Sequence, residues 1–253
     1  GLVRGLLPVP EVLEVRRARP AAGVPALLVT SCLPGDRLDV VLPRLAPVAR
    51  GRLGERIGLL VGRLAMMPLP ARGRFVDPGL RVEPISGDPD GQGGLVEVVE
   101  RLLDGPGRGD WSAADTRALA AVAQDAQAVL DGVTRACLVH GDLVGSNLLL
   151  DTDRLEVTGL VDWEHAHAGA PGVDLGSLLR HHRDRTLTAA VLAGYRATVV
   201  DAAGLTDLDL LDRARAADLA VLVRAAARPG PVAGDVRDLL LAVARGGDLH
   251  AVP

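Results

Sequence analysis

Two carboxylates and one carboxamide stand at the ends of short apolar runs in the middle of this 253-residue chain. The stretch reads Leu138-Val139-His140-Gly141-Asp142-Leu143-Val144-Gly145-Ser146-Asn147-Leu148-Leu149-Leu150. A turn at Asp151-Thr152-Asp153 and a third apolar run, Val157-Thr158-Gly159-Leu160-Val161, then lead into Asp162-Trp163-Glu164. Strand ends are where polar groups can face a cleft while the strand bodies stay buried. Oxygen donors of this kind suit a hard cation such as Mg²⁺, and a lone carboxylate such as Asp142 can serve as a base that orients a hydroxyl. Asp and Asn are also common turn residues, so a purely structural reading stands beside the chemical one.

These residues need elements to position them. Cys137–His140, Asn147–Leu150 and Val157–Val161 read as three strands, and helical sequence surrounds them. From Val48 to Met67 the apolar residues recur mostly at three- and four-residue spacing with Arg and Glu between them, which predicts an amphipathic helix ended by Pro68. Ser112-Ala-Ala-Asp predicts an N-capped helix to about Leu130. Further helices are expected after Asp174 and over Leu187–Val200, Asp207–Ala227 and Val236–Arg245. Upstream, Val9–Val15 and Ala26–Leu33 read as a strand pair closed by a Pro34-Gly35 turn. The Gly- and Pro-rich stretch from Pro70 to Trp111 reads as loop with a short helix at Leu95–Leu103. The Gly87–Gly94 run within it lacks a Lys-Ser/Thr ending and reads as a surface turn.

Composition narrows the function. A net charge of -4 and a pI near 5.9, with no basic block, argue against nucleic-acid binding. Two per cent aromatic residues leave little for base stacking. No apolar run reaches membrane-spanning length, and the first residues lack the apolar core of a signal peptide, so a cytoplasmic protein with no membrane partner is expected. Cys32 and Cys137 sit in apolar contexts that suit reduced thiols. His165, His167, His181 and His182 lack metal-ligand spacing and read as solvated or capping side chains. Asp201, Asp207, Asp209 and Asp212 fit either an acidic cleft for a cationic substrate or an exposed helix surface. Every basic side chain besides His is Arg, since the sequence contains no Lys.

His140-Gly141-Asp142, then Asn147 and Asp162-Trp163-Glu164, resemble the catalytic core of the aminoglycoside phosphotransferase and choline-kinase-like family, relatives of protein kinases. Protein kinases show the same Asp-to-Asn spacing, with Arg where this chain has Gly141. Ala170-Pro-Gly-Val-Asp174-Leu-Gly and the two upstream strands extend the similarity from about Val9 to Arg180. The resemblance implies an α+β, protein-kinase-like fold, with residues 1–35 as a remnant of small-lobe strands and hinge and residues 36–253 as the helical large lobe. It implies ATP and Mg²⁺ as cofactors and a small-molecule substrate such as an aminoglycoside or another amino or sugar alcohol. Asp142 would take or orient the proton of the attacking hydroxyl, and Asn147 and Asp162 would hold Mg²⁺. His140 would shape the loop from inside, and the backbone of Ser31, Cys32 and Leu33 would meet adenine at the hinge. Asp174 would support the loop, or else cap the helix that follows it.

The resemblance is incomplete in one respect. The Gly-rich hairpin, the strand Lys and its Glu partner have no counterpart in the sequence, which opens on Gly1 and fits a fragment or processed chain. Weak or absent transfer by the chain as given is therefore expected, and a kinase-like binding or scaffold protein without catalysis is the alternative.

Overall fold

The computed structural model describes residues 2–83, 94–105, 108–180, 184–227 and 233–251. Residues 87–93 of the Gly-rich turn and the His181–His182 pair lie outside them. The architecture is α+β, as expected. The first strands, β1 (Val12–Arg16) and β2 (Leu27–Thr30), form an antiparallel two-stranded sheet that is almost wholly exposed. They are shorter than the sequence suggests because Pro8, Pro10 and Pro34 have no N–H to give a ladder. Ser31 continues the pairing, its N–H on the Glu11 carbonyl at 2.8 Å and its hydroxyl accepting the Glu11 N–H at 2.8 Å.

Downstream, β3 (Asp36–Arg37), β8 (Leu148–Asp151) and β9 (Glu156–Leu160) make a three-stranded antiparallel sheet in that order. A second sheet runs β4 (Pro68–Leu69), β7 (Ala136–Val139), β10 (His167–Gly169), β5 (Gly73–Phe75), β6 (Val82–Glu83). Four of these five strands were unexpected. Runs of two or three residues are too short to show alternation, and β4 and β10 exist because the buried β7 offers both its edges for pairing.

The helices are α1 (Leu38–Val41), α2 (Pro47–Ala65), α3 (Leu95–Asp104), α4 (Ala113–Asp131), α5 (Val173–Leu179), α6 (Arg185–Thr198), α7 (Asp207–Ala226) and α8 (Ala233–Gly246). Ser112 and Asp115 form a reciprocal capping box at the start of α4, as Thr206 and Asp209 do for α7. Gly54, Gly58 and Gly62 recur every four residues on α2 and face α6. A Cβ on Gly58 would lie 2.1 Å from the Val191 carbonyl oxygen, so the absence of a side chain lets the two helices touch by their backbones. Two apolar clusters result. One joins α2, α5, α6 and the three- and five-stranded sheets, the other packs α3, α4 and α8, and α7 contributes to each. Among the described residues no helix is long and apolar enough to cross a membrane.

Candidate functional site

The fully buried β7 carries the chain to His140. Its imidazole is completely buried; Nε2 lies 2.9 Å from the Val161 carbonyl and Nδ1 3.4 Å from the Asp142 nitrogen. A carbonyl can only accept and an amide N–H can only donate, so in this network Nε2 donates to the Val161 carbonyl and Nδ1 accepts from the Asp142 N–H. Both ring nitrogens are committed to backbone, and Trp163 covers the ring with centroids 4.7 Å apart. The ring is thus held between the loop backbone and Trp163.

Gly141 follows with φ +84°, a conformation that side chains resist, and a Cβ there would stand 2.3 Å from the His165 carbonyl oxygen. The Arg that protein kinases place at this point could not be accommodated in this turn. Asp174 holds the turn from the other side. Its carboxylate, 3% exposed, accepts the N–H of His140 at 2.8 Å and of Gly141 at 3.0 Å. The N-cap of α5 is Gly172, so the capping alternative for Asp174 is not the geometry observed. Burial pushes the Asp174 carboxyl above the usual carboxylate range, against the pull of the two N–H groups and of His140 and His167.

The loop ends in a tight 3-10 turn, Gly145–Asn147, before β8. The buried Asn147 donates through Nδ2 to the Asp142 carbonyl at 2.8 Å and to the Asp142 carboxylate at 3.1 Å. Pairing of Leu148 with Leu160, and the Val161 N–H on the Asn147 carbonyl at 3.0 Å, bring Asp162 beside Asn147. Asp162 is exposed and sits in the left-handed region, φ 67° and ψ 62°, a strained setting for a residue with a side chain. Asp142, Asn147 and Asp162 thus stand at one end of the three-stranded sheet, Asn147 touching Asp142 and Asp162 following the Val161 that pairs with Asn147. The Asn147 amide nitrogen is used on Asp142, and its oxygen, which accepts from the Ser146 hydroxyl at 3.4 Å, keeps a second lone pair; the donor set is all oxygen, a type that suits Mg²⁺.

The segment that the resemblance would make a hinge lies against the same strands. Gly35, at φ +128°, packs its backbone against Leu150, and the Thr158 hydroxyl donates to the Pro34 carbonyl at 2.5 Å, so the Pro34-Gly35 turn sits on β8 and β9. The N–H groups of Cys32 and Leu33 make no hydrogen bond to the described residues.

Other expectations resolve into structural roles. Asp201 pairs with Arg135 at 3.0 Å, Asp207 with Arg196 at 2.5 Å and Asp212 with His250 at 2.7 Å, while Asp209 caps α7. The four acids are therefore already engaged. Burial pushes the Cys137 thiol up to about 12, which keeps it inert, and Cys32 is exposed. His165 is exposed, whereas His167 opens strand β10 instead of lying in loop, with burial holding its pKa below the usual imidazole value. One pair went unnoticed in the sequence: Arg180, just past α5, grips the buried Asp218 of α7 with Nη2 at 2.5 Å and Nε at 2.9 Å. Burial lowers the Arg180 pKa, but Asp218 and, more weakly, Asp142 outweigh it and raise the net value. Arg180 is thus within the electrostatic field of Asp142. The signal for it was a charged residue at the end of an otherwise apolar helix.

The profile of the phosphotransferase enzyme family designated APH matches residues 2–219. Among solved structures, the GDP complex of aminoglycoside 2'-phosphotransferase-IIIa superposes with a TM-score of 0.69 at 15% identity, over 97% of this chain and 78% of that one. APH(4)-Ia, a thermostable mutant in ternary complex with ADP and hygromycin B, gives 0.60 at 15% identity, over 96% and 76%. APH(3'')-Id from Streptomyces rimosus with ADP and streptomycin gives 0.55 at 21% identity, over 90% and 79%. The shared fold is the kinase-like one.

Proposed function

The chain belongs to the phosphotransferase enzyme family, and from that premise we propose that it transfers the γ-phosphoryl group of ATP to a hydroxyl of a small molecule, an amino or sugar alcohol of the aminoglycoside kind. The observation that carries this reading is the contact of Asn147 with Asp142 on a loop whose backbone is clamped by Asp174, with Asp162 one residue beyond the Val161–Asn147 pairing. The acceptor hydroxyl would lie against the Asp142 carboxylate. As its oxygen bonds to the γ-phosphorus, the bond from that phosphorus to the bridging oxygen breaks, ADP leaves, and the hydroxyl proton passes to Asp142 and on to solvent. Asn147 holds Asp142 in place through its amide, so the base does not have to be ordered at the moment of reaction. Asn147 and Asp162 would hold Mg²⁺, which offsets the charge of the nucleotide phosphates. The free N–H groups of Cys32 and Leu33, with Ser31 before them, supply the hinge for adenine.

Because the sequence contains no Lys, the usual ammonium clamp on the phosphates is missing from these residues. Transfer by this chain alone is therefore slow, and the same fact favours a second reading, nucleotide and ligand binding without turnover. The test is ATP consumption with Mg²⁺ and a panel of aminocyclitol alcohols, for the wild type, Asp142→Asn and Asp162→Asn. Loss of about 10²-fold or more in Asp142→Asn supports transfer. Ligand-induced thermal stabilisation without turnover selects the binding module, and equal turnover in all three proteins refutes the proposed base.

A further inference from the structure

Away from Asp142, Asn147 and Asp162, a pocket of about 170 Å³ lies where the end of α4 and the start of β7 meet the end of α6 and the beginnings of α5 and α7. Leu130, Leu175, Val199, Leu205, Leu210 and the ring of Tyr195 give it an apolar wall. A cavity of about 150 Å³ suffices for a benzene-sized molecule, so this space takes one ring. Three charged side chains border it, Arg135, Asp201 and Arg213. Arg135 and Asp201 pair with each other at 3.0 Å. Arg213 on α7 is half-buried and makes no hydrogen bond or ion pair with the described residues. Asp209, one turn earlier on the helix, feels its charge but lies beyond ion-pair distance and already accepts the Thr206 N–H and hydroxyl at 2.8 and 2.7 Å. Tyr195 feels the charge as well, and its buried hydroxyl donates to the Pro171 carbonyl at 3.1 Å. Once the Arg135–Asp201 pair is counted, the lining keeps one positive charge beside an apolar space.

We propose that this pocket binds a small organic monocarboxylate with a ring-sized apolar body, separately from the phosphotransfer site. The carboxylate takes the planar guanidinium of Arg213 in two-point contact, and the body packs among Leu175, Tyr195 and Leu205. The one lining charge left over matches one negative charge, and the apolar wall offers nothing to a second, so a dianion is disfavoured. The pocket also bears on the catalytic loop. Ala170, Pro171 and Gly172 line it, and Asp174, two residues farther along, accepts the N–H groups of His140 and Gly141. An occupant therefore braces the segment that seats this carboxylate.

The experiment is thermal unfolding of the full chain at neutral pH and constant ionic strength, without nucleotide or Mg²⁺, in increasing sodium benzoate, with sodium acetate, benzyl alcohol and sodium chloride as references. At about fifty times its dissociation constant, benzoate should raise the melting temperature by roughly 5 °C. Acetate lacks the body and benzyl alcohol lacks the charge, so each should bind about ten-fold or more weakly than benzoate. Arg213→Met should weaken benzoate by about ten-fold or more, and so should Leu205→Phe, which fills the space of the ring. The rise should persist in Asp162→Asn and in Arg52→Met, an exposed arginine outside the pocket. No rise with benzoate, an equal rise with acetate or benzyl alcohol, an undiminished rise in either pocket variant, or its loss in Asp162→Asn or Arg52→Met overturns the proposal. The two pocket variants are read separately, so misfolding of one leaves the other decisive.

Discussion

Replacing Asp174 tests whether a single buried carboxylate holds the catalytic loop in shape. The side chain is 3% exposed and accepts two backbone N–H groups, from His140 and Gly141, at 2.8 and 3.0 Å. A hydrogen bond to a charged acceptor contributes about 1.5–3 kcal/mol, and each buried N–H left unpaired costs about 1–3 kcal/mol. Asp174→Ala removes both acceptors at once and leaves both donors in a site where solvent cannot reach them, so a loss of about 3–5 kcal/mol is expected. Asp174→Asn preserves shape and one acceptor but turns an NH₂ toward the second N–H, for a loss of about 1.5–3 kcal/mol. The Asn variant is also spared a buried charge, which works in its favour. Urea unfolding of the three proteins at neutral pH gives the ordering, and phosphotransfer assays on the folded fraction report the loop. If both variants fall within about 0.5 kcal/mol of wild type, or if Ala is milder than Asn, the clamp is not what stabilises the loop.

Gly141→Ala places a Cβ 2.3 Å from the His165 carbonyl at positive φ; about 3 kcal/mol should be lost, seen as a melting temperature lower by about 6–12 °C. On α2 two like substitutions should act oppositely. Gly51→Ala meets only the Thr186 methyl at 3.5 Å and should stabilise by about 0.5–1 kcal/mol through helix propensity, whereas Gly58→Ala strikes the α6 backbone at 2.1 Å and should cost about 2 kcal/mol or more; calorimetry distinguishes the two signs. The Arg245 hydrogen bond, then Ser112, hold the Asp115 carboxyl at about 2 against an ordinary 3.8. Because the folded value is the lower one, this contribution is present above about pH 4 and fades as pH falls toward 2, so the acid-side loss of stability should be smaller in Asp115→Asn. Unfolding curves between pH 5 and about 2.5 for both proteins measure it.

The long elements were legible because their residues repeat. α2, α4, α6 and α7 lie within one to three residues of the positions that apolar periodicity and capping patterns indicate, and the buried β7, β8 and β9 read as apolar runs between turns. The loop from His140 to Asp162 was legible as a spacing of polar residue types. What lay beyond the sequence depends on pairing across long separations. β4, β5, β6 and β10 are too short to carry a pattern and are defined by partners sixty or more residues away in several cases, such as Pro68 opposite Cys137. The partner of Asp174 was likewise open, because whether a carboxylate caps its own helix or reaches a loop thirty-four residues back is decided by how α5 docks under β7. Three of the four acids after Val200 showed the converse, Asp201, Asp207 and Asp212 being matched to partners that the fold brings near, while Asp209 meets Thr206 in a local capping box.

α7 places Leu210, Ala214 and Ala217 in one apolar cluster and Ala216, Leu219, Leu222, Val223 and Ala226 in the other, and its Asp218 is tied to Arg180 beside α5. Successive residues of one rod are thus divided between two hydrophobic interiors. Neither interior can open without stripping contacts from a helix that the other still needs, so the free energy of opening one includes part of the other. The loop from His140 to Asn147 rests on the first interior through Val139, Leu143 and Leu148. Through this shared rod the slowest hydrogen exchange is expected in both interiors, so that fluctuations loosening the loop meet resistance from packing far from it in sequence.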